Sequence, residues 1–258
     1  LDKEIILASH AIYDQLDANW ISNQYIVGTI INGGQHPIGS KKGSCLIIRD
    51  NDINPLIFGF TFKDGTGSDM LIIDCEVTDD KQRIERSGGG ILAYKAYPDI
   101  MYNKFINNGN TSMGNIGDEI LALTNGGAIG HFDDDDVEFD EDRNEIDQNI
   151  NQDRDRPNSI NIQNNYFENN GSGDGECFYS NGFLGTIDLS NSIFDNIDCS
   201  TSTVNEFILK SKTRDADYIQ EGITGTCIEQ STYYVNAENG NDNNPGTEEE
   251  PFLTIRKV

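Results

Sequence analysis

Basic residues are scarce in this chain. Only 18 Lys and Arg stand against 44 Asp and Glu in 258 residues, a formal charge of 18 − 44 = −26 with a pI near 4.2. Phosphate binding needs clustered Lys and Arg, so this balance argues against a nucleic-acid partner. It argues equally against docking on an anionic membrane surface. What it favours is solubility and an affinity for cations. Long apolar runs are missing too. None approaches the roughly 18–20 residues that cross a bilayer, so no membrane insertion is expected. There is no signal-peptide pattern and the first residue is Leu1, which reads as a processed product or a piece cut from a longer chain.

Other absences narrow the chemistry. The five cysteines (Cys45, Cys75, Cys177, Cys199, Cys227) are odd in number, widely spaced and form no CxxC pair, which excludes zinc-ribbon and thioredoxin-type readings. A Cys199–Cys227 disulfide stays open, and small buried hydrophobes are the favoured role for most of them. No Gly-x-Ser-x-Gly, phosphate-cradling loop or dinucleotide fingerprint is present. The glycines of 65–67 and 171–175 read as turn residues, because no credible helix follows them. No Thr-x-Thr ladder exists, which sets aside an ice-binding surface. His10 and His36 have no partner at metal-ligand spacing.

What the chain has in quantity is Gly (26) and Asn (29), residues that punctuate turns and point to many short strands rather than long helices. A chain of this length buries a sizeable core as one unit. Aligning it against itself reveals a repeat over residues 57–64, 100–107, 162–169 and 189–196. Each copy has a branched aliphatic residue, a Phe five positions later, and Asn or Asp two further on. The aromatics are Phe62, Phe105, Phe167 and Phe194; the polar followers are Asp64, Asn107, Asn169 and Asn196. Ile72, Val77 and Asp79 make a fifth, weaker copy.

A further strand precedes each copy, at 45–48, 90–94, 127–129 and 177–179. Ile91 to Phe105 spans 14 residues, whereas Ile129 to Phe167 spans 38. Removing residues 133–156, which number 24, restores 38 − 24 = 14. That stretch holds 12 acidic and 3 basic side chains, so −9 of the −26 resides there, and it reads as a mobile acidic loop inserted at a turn. Each remaining unit is two or three short strands that bury an apolar face only by stacking on a neighbour. The expectation is an internal Phe ladder, with Asn or Asp at one recurring corner, where Asn tolerates left-handed backbone and its amide bonds to the next layer.

Together with Gly88-Gly89-Gly90-Ile91, Pro98, Ile100 and Asn107-Asn108, this pattern resembles the short repeats of the right-handed parallel β-helix, the pectate-lyase-like superfamily. The resemblance runs from about Tyr25 to Asn196. It implies an all-β solenoid with an acidic loop insertion, occupying residues 1–231. Activity is not implied, because that superfamily contains lyases, hydrolases, epimerases, adhesins and non-catalytic surface modules. Residues 232–258, with Tyr233, Tyr234, Val235, Pro251, Phe252 and Ile255, resemble the opening strand and cap of secreted β-helix proteins. Here they stand at the far end of the chain, while residues 3–7 resemble the strand that normally follows the cap. Two explanations fit: a slice of a tandem β-helix array, or a segment that caps the first layer of another copy by strand addition. A truncated chain with a disordered tail is the plainer alternative.

Lyases of the superfamily pair Ca²⁺-binding carboxylates with a Lys or Arg base. The residues here that match loosely are Lys95 and Lys104 with Asp99 nearby, and Asp69, Asp74 and Asp79; solvated outward positions are the simpler reading. The stretch 130–134, Gly-His-Phe-Asp-Asp, is superficially similar to hydrolase aspartate clusters and is treated as coincidence. For calcium, Asp133, Asp134, Asp135, Asp136, Glu138 and Asp140 form the densest oxygen set, though not in EF-hand order. The turn 239–242 is a weaker one. The favoured function is thus a non-catalytic, extracellular, acidic module for surface or filament architecture or adhesion. Its expected partners are other copies, tandem domains or glycans. A carbohydrate-active enzyme is the alternative.

Overall fold

The structure is a computed structural model and describes residues 5–34, 41–49, 53–74, 81–109, 126–133, 137–139, 156–172, 175–198, 208–209, 216–228 and positions 236, 237, 239, 241 and 253. Short triplets such as Leu56-Ile57-Phe58 and Lys104-Phe105-Ile106 turn the central side chain inward and its two neighbours outward, the alternation of a half-buried strand. Such strands assemble into parallel ladders. One sheet joins β1 (Ile6–Ala8), β5 (Leu56–Phe58) and β10 (Asp99–Met101); another joins β14 (Ser159–Asn161), β17 (Thr186–Asp188) and β20 (Asp217–Ile219). Asp99 links the two, its carboxylate accepting from the Asn161 backbone at 3.2 Å and side chain at 2.8 Å.

A six-stranded sheet orders β2 (Ile30–Asn32), β6 (Thr61–Lys63), β11 (Lys104–Ile106), β15 (Tyr166–Glu168), β18 (Ile193–Asp198) and β21 (Thr224–Ile228). A five-stranded sheet orders β4 (Leu46–Arg49), β9 (Ile91–Tyr94), β12 (Ile129–Phe132), β16 (Phe178–Asn181) and β19 (Ile208–Leu209). The chain visits these sheets in one cyclic order: β1, β2, β4; then β5, β6, β9; then β10, β11, β12; then β14, β15, β16; then β17, β18, β19; then β20, β21. The all-β class expected from composition holds, and the strands of the four strong repeats pair in parallel.

The register explains the repeat. Phe62, Phe105, Phe167 and Phe194 face one another across the six-stranded sheet. Their rings stack at 5.3, 5.2 and 4.9 Å with interplanar angles of 14°, 12° and 13°. All four are buried in one core with inward residues of the other sheets, including Ile57, Ile91, Ile100, Ile129 and Phe178. Offset aromatic stacks add about 0.5–1.5 kcal/mol per pair beyond area burial. The polar followers Asp64, Asn107 and Asn169 all have φ near +55°, at 56°, 56° and 53°. Asn169 Nδ2 donates to Asn107 Oδ1 at 2.7 Å on the exposed corner. Asn196 departs from this row: it lies inside β18, because that strand runs longer than its three counterparts.

Two buried polar rows were not anticipated. Two residues before the Phe stand Asn103, Asn165 and Ser192; three after it stand Asn108 and Asn170. Asn103 Oδ1 accepts the Phe60 N–H and its Nδ2 donates to the Ile57 carbonyl, both at 3.0 Å. Asn165 Oδ1 accepts the Asn103 N–H, and Ser192 Oγ accepts that of Asn165. Asn108 repeats the arrangement, accepting the Gly65 N–H at 3.0 Å and donating to the Phe62 carbonyl at 3.1 Å. Corner amides with no strand partner are thereby satisfied from inside.

Glycine sets a third corner. Gly88, Gly126 and Gly175 adopt φ of 65°, 64° and 62° just before β9, β12 and β16. One residue on, a Cβ at Gly89 would meet the Gly127 carbonyl, and one at Gly127 the Glu176 carbonyl. The corners approach too closely for side chains.

Three features depart from the repeat. Ile72 does not stand in a parallel ladder, and Val77 and Asp79 of the fifth copy lie outside the described residues. Strands β7 (Gly67–Asp74) and β8 (Lys81–Ser87) pair antiparallel as a hairpin, with Ile72 opposite Arg83. It is joined by β3 (Lys42–Gly43) and β13 (Val137–Phe139), both antiparallel to β7. Met70 of the hairpin packs against Leu92, Tyr94, Phe132 and Tyr179, so β9 and β12 are buried on both faces. Between β1 and β2 run two 3₁₀ turns (His10–Tyr13, Trp20–Ser22) and α1 (Gln24–Gly28). Ala11, Trp20 and Ile26 pack there with Phe58, Tyr102 and Tyr166. Finally, the chain divides into two units, Leu1–Ile197 with Ser202–Thr226, and Asp198–Thr201 with Cys227–Val258. In the second, the Asn239 N–H donates to Asn236 Oδ1 at 3.0 Å.

Candidate functional site

The residues flanking each ladder Phe point away from the core, and on β11, β15 and β18 they gather ionisable groups. Lys104 Nζ lies 5.1 Å from the Tyr166 ring centre and donates to the Ile21 carbonyl at 3.3 Å. The Tyr166 hydroxyl donates to Asp195 Oδ2 at 2.6 Å and contacts Glu168 Oε2 at 3.2 Å. Desolvation by the packed 3₁₀ segment lowers the Lys104 ammonium pKa, while Glu168 pulls it back up. Burial, then the two carboxylates, push the Tyr166 phenol upward. A half-buried lysine of this kind is suited to accept a proton, but here its hydrogens are directed to a backbone carbonyl and an aromatic face.

The loose match of Lys95, Lys104 and Asp99, which the sequence reading set below solvated outward positions, is not assembled as one constellation. Lys95 lies over the Tyr94 ring at 5.1 Å, Asp99 binds Asn161, and Lys104 turns to Tyr166. Asp69 is not a solvated outward residue. It is buried under the hairpin, 2.7 Å from Arg86 Nη1, whose Nε donates to the Thr66 carbonyl at 2.8 Å. The side chain of Asp74 and all of Asp79 lie outside the described residues.

A second cluster sits at the start of the acidic stretch. His131 faces inward beside Ile129 and is buried, its Nδ1 3.0 Å from Ser180 Oγ and its ring against Tyr97 and Phe183. Asp133 is 0 % exposed. Tyr97 donates its hydroxyl to Asp133 Oδ1 at 2.8 Å, and Arg156 Nε is in ion-pair contact with Oδ2 at 2.9 Å. Asp133 and Arg156 are the first and last residues of the inserted stretch, so its two ends are clasped together.

This corrects the reading of 133–156 as wholly a solvated loop and of Asp133 as a calcium ligand. Asp133 is a buried structural carboxylate, and Val137–Phe139, including Glu138, pairs with the hairpin. Asp134, Asp135, Asp136 and Asp140 lie outside the described residues, as do Tyr233, Tyr234, Val235, Pro251, Phe252 and Ile255. Among the described residues no group of three or more His, Cys, Asp and Glu is placed to hold a metal, and no helix is long and apolar enough to cross a membrane. Cys45 and Cys177 are free thiols. Burial raises the Cys45 pKa to about 11 and pushes the Cys177 thiol well above its ordinary value. Cys199, and with it any Cys199–Cys227 bridge, falls outside the described residues.

Tyr166, Glu168 and Asp195 escaped the sequence reading, although a signal existed. They occupy the positions immediately before or after a ladder Phe, so reading outward neighbours by row would have grouped them with Lys104. Comparison with protein-family models, with curated proteins and with solved structures found no match. Functional inference therefore rests on the chain's own geometry.

Proposed function

We propose that the chain is a right-handed parallel β-helix serving as a non-catalytic architectural or adhesive module outside the cell. The observation that carries the reading is the cyclic visit to four parallel sheets, two of them joined through Asp99 and Asn161, with one in-register Phe at the same place in four successive strands of the six-stranded sheet. The right hand is the general preference of parallel crossover connections. Two facts support a structural rather than catalytic role. The Asn rows spend their hydrogen-bonding capacity on backbone, and the buried ionisable residues Asp69, Arg86 and Asp133 are engaged with one another or with Tyr97 and Arg156. Assembly with other copies or tandem domains, and contact with glycans, belong to the same proposal. Any Ca²⁺ bound by the acidic stretch draws on Asp134, Asp135, Asp136, Glu138 and Asp140, with Asp133 withdrawn from the set.

One observation favours the enzymatic alternative, a Ca²⁺-dependent polysaccharide lyase or related carbohydrate-active enzyme. Lys104, Tyr166, Glu168 and Asp195 form an acid–base cluster on the outer side of a parallel sheet. The two readings part in one assay. The protein is incubated with polygalacturonate or alginate and Ca²⁺, and the absorbance of unsaturated products is followed. No rise is expected; a rise that Lys104→Ala abolishes replaces the architectural reading with the lyase.

A further inference from the structure

The parallel sheets begin and end together among the described residues. On one side their last strands are β1, β2 and β4, each with a described strand neighbour on one side only; on the other they are β20, β21 and β19. Large apolar side chains concentrate at the first of these ends. Ile6 on β1 is 67 % exposed and Ile30 on β2 is 52 % exposed, and Tyr13 and Val27 stand out from the segment between them. The same region is poor in charge. Residues 5–34 contain only Asp14 and Asp17 as charged side chains, whereas 24 % of the chain is charged. Copies carrying −26 each can meet closely only where few like charges are brought together. An open strand edge flanked by exposed aliphatics is a template for pairing with another chain.

We infer that the β1–β2–β4 end is a docking surface for a second copy of this chain, which presents its β19–β21 end. Its β20 adds beside β1, β21 beside β2 and β19 beside β4, each in parallel. The occupant follows from the edge geometry. An extended peptide satisfies one edge and leaves the other two open. A partner that continues all three must present three parallel edge strands met in the same cyclic order, and another copy does so with β20, β21 and β19. Because the two surfaces in contact differ, the contact is heterologous and repeats along a filament instead of closing on a dimer. This rests on the architectural reading above, but it fails separately: the stacked fold can stand while the protein stays monomeric.

The test is sedimentation velocity at physiological salt, which screens the net charge, over a wide concentration range. It compares the natural chain, the double variant Ile6→Glu with Ile30→Glu, and their mixture. The natural chain is expected to climb above 28.6 kDa with concentration. The double variant is expected to lose about tenfold or more in association constant, since each Glu desolvates a like charge in the contact. Its β19–β21 end is intact, so in the mixture it joins natural assemblies and shortens them. Both side chains lie on the surface, and an unchanged far-UV spectrum checks the fold. Tyr13→Glu with Val27→Glu, outside the strands, repeats the test if the first pair misfolds. A natural chain that stays monomeric throughout, or variants that associate undiminished, overturns the inference. Variants that never enter natural assemblies show like ends meeting, and overturn the polarity.

Discussion

Replacing Asn108 by Ala separates a buried amide row from an exposed one, because Asn107 next to it offers a control. Asn108 is buried; its Oδ1 accepts the Gly65 N–H and its Nδ2 donates to the Phe62 carbonyl. Truncation strands one donor and one acceptor away from water. Each costs about 1–3 kcal/mol, so the expected loss is roughly 2–6 kcal/mol. At about 2–4 °C per kcal/mol for a chain of this size, the melting temperature should fall by roughly 10 °C. Asn107→Gly keeps the φ of 56° without strain and loses only the exposed bond from Asn169, so a change within about 1 kcal/mol is expected. Urea and thermal melts of both variants give the comparison, and amide exchange at Gly65 localises it. Equal losses in the two variants, or slow exchange at Gly65 in Asn108→Ala, would refute the idea that inward amides hold the corners.

Other outcomes follow from the same geometry. Phe105→Ala leaves a hole between two stacked rings and should cost about 3–5 kcal/mol, whereas Phe105→Leu should cost less than half of that, read by denaturant melts. Arg156→Gln leaves the Asp133 carboxylate buried without that counter-charge and should cost about 3 kcal/mol or more. Asp133→Asn should cost less, because Arg156 has 27 % of its side chain in water; an inverted order would contradict the clasp. Cys45, with its thiol pushed from 9.0 to about 11, should alkylate about a hundredfold more slowly than an ordinary thiol at pH 8, as read by peptide mass spectrometry. Its folded pKa is the raised one, so the protonated thiol belongs to the folded state. Stability is expected to hold below about pH 9 and to decline as pH climbs toward 11.

The parts of the fold legible in the sequence were those that repeat. A Phe recurring five residues after an aliphatic marks strands whose register is fixed by burial, since a slip of one residue would turn every ring outward. The follower row was legible at Asp64, Asn107 and Asn169 because left-handed corners select Asn and Asp. The inward rows at Asn103, Asn165, Asn108 and Asn170 also recur, at the 62-residue offset that separates Phe105 from Phe167. They went unseen because polar residues beside turns are ordinarily taken as solvated. The 3₁₀ and helical segment of 10–28 and the hairpin of 67–87 occur once each, so no internal comparison exposed them. Charge density described residues 133–156 as a whole, but the fate of Asp133 depended on Tyr97 and Arg156, distant in sequence.

The clasp at Asp133 and Arg156 has an evolutionary corollary. A lineage can lengthen, shorten or exchange much of what lies between those two residues without disturbing the parallel sheets, provided β13 keeps its place beside β7, because the chain leaves and returns at one point. Within a parallel sheet no such freedom exists: a single residue added inside a strand shifts its register against both neighbours and turns inward side chains outward. Change in this chain is therefore held to a fixed register within the sheets and freer beyond the clasp.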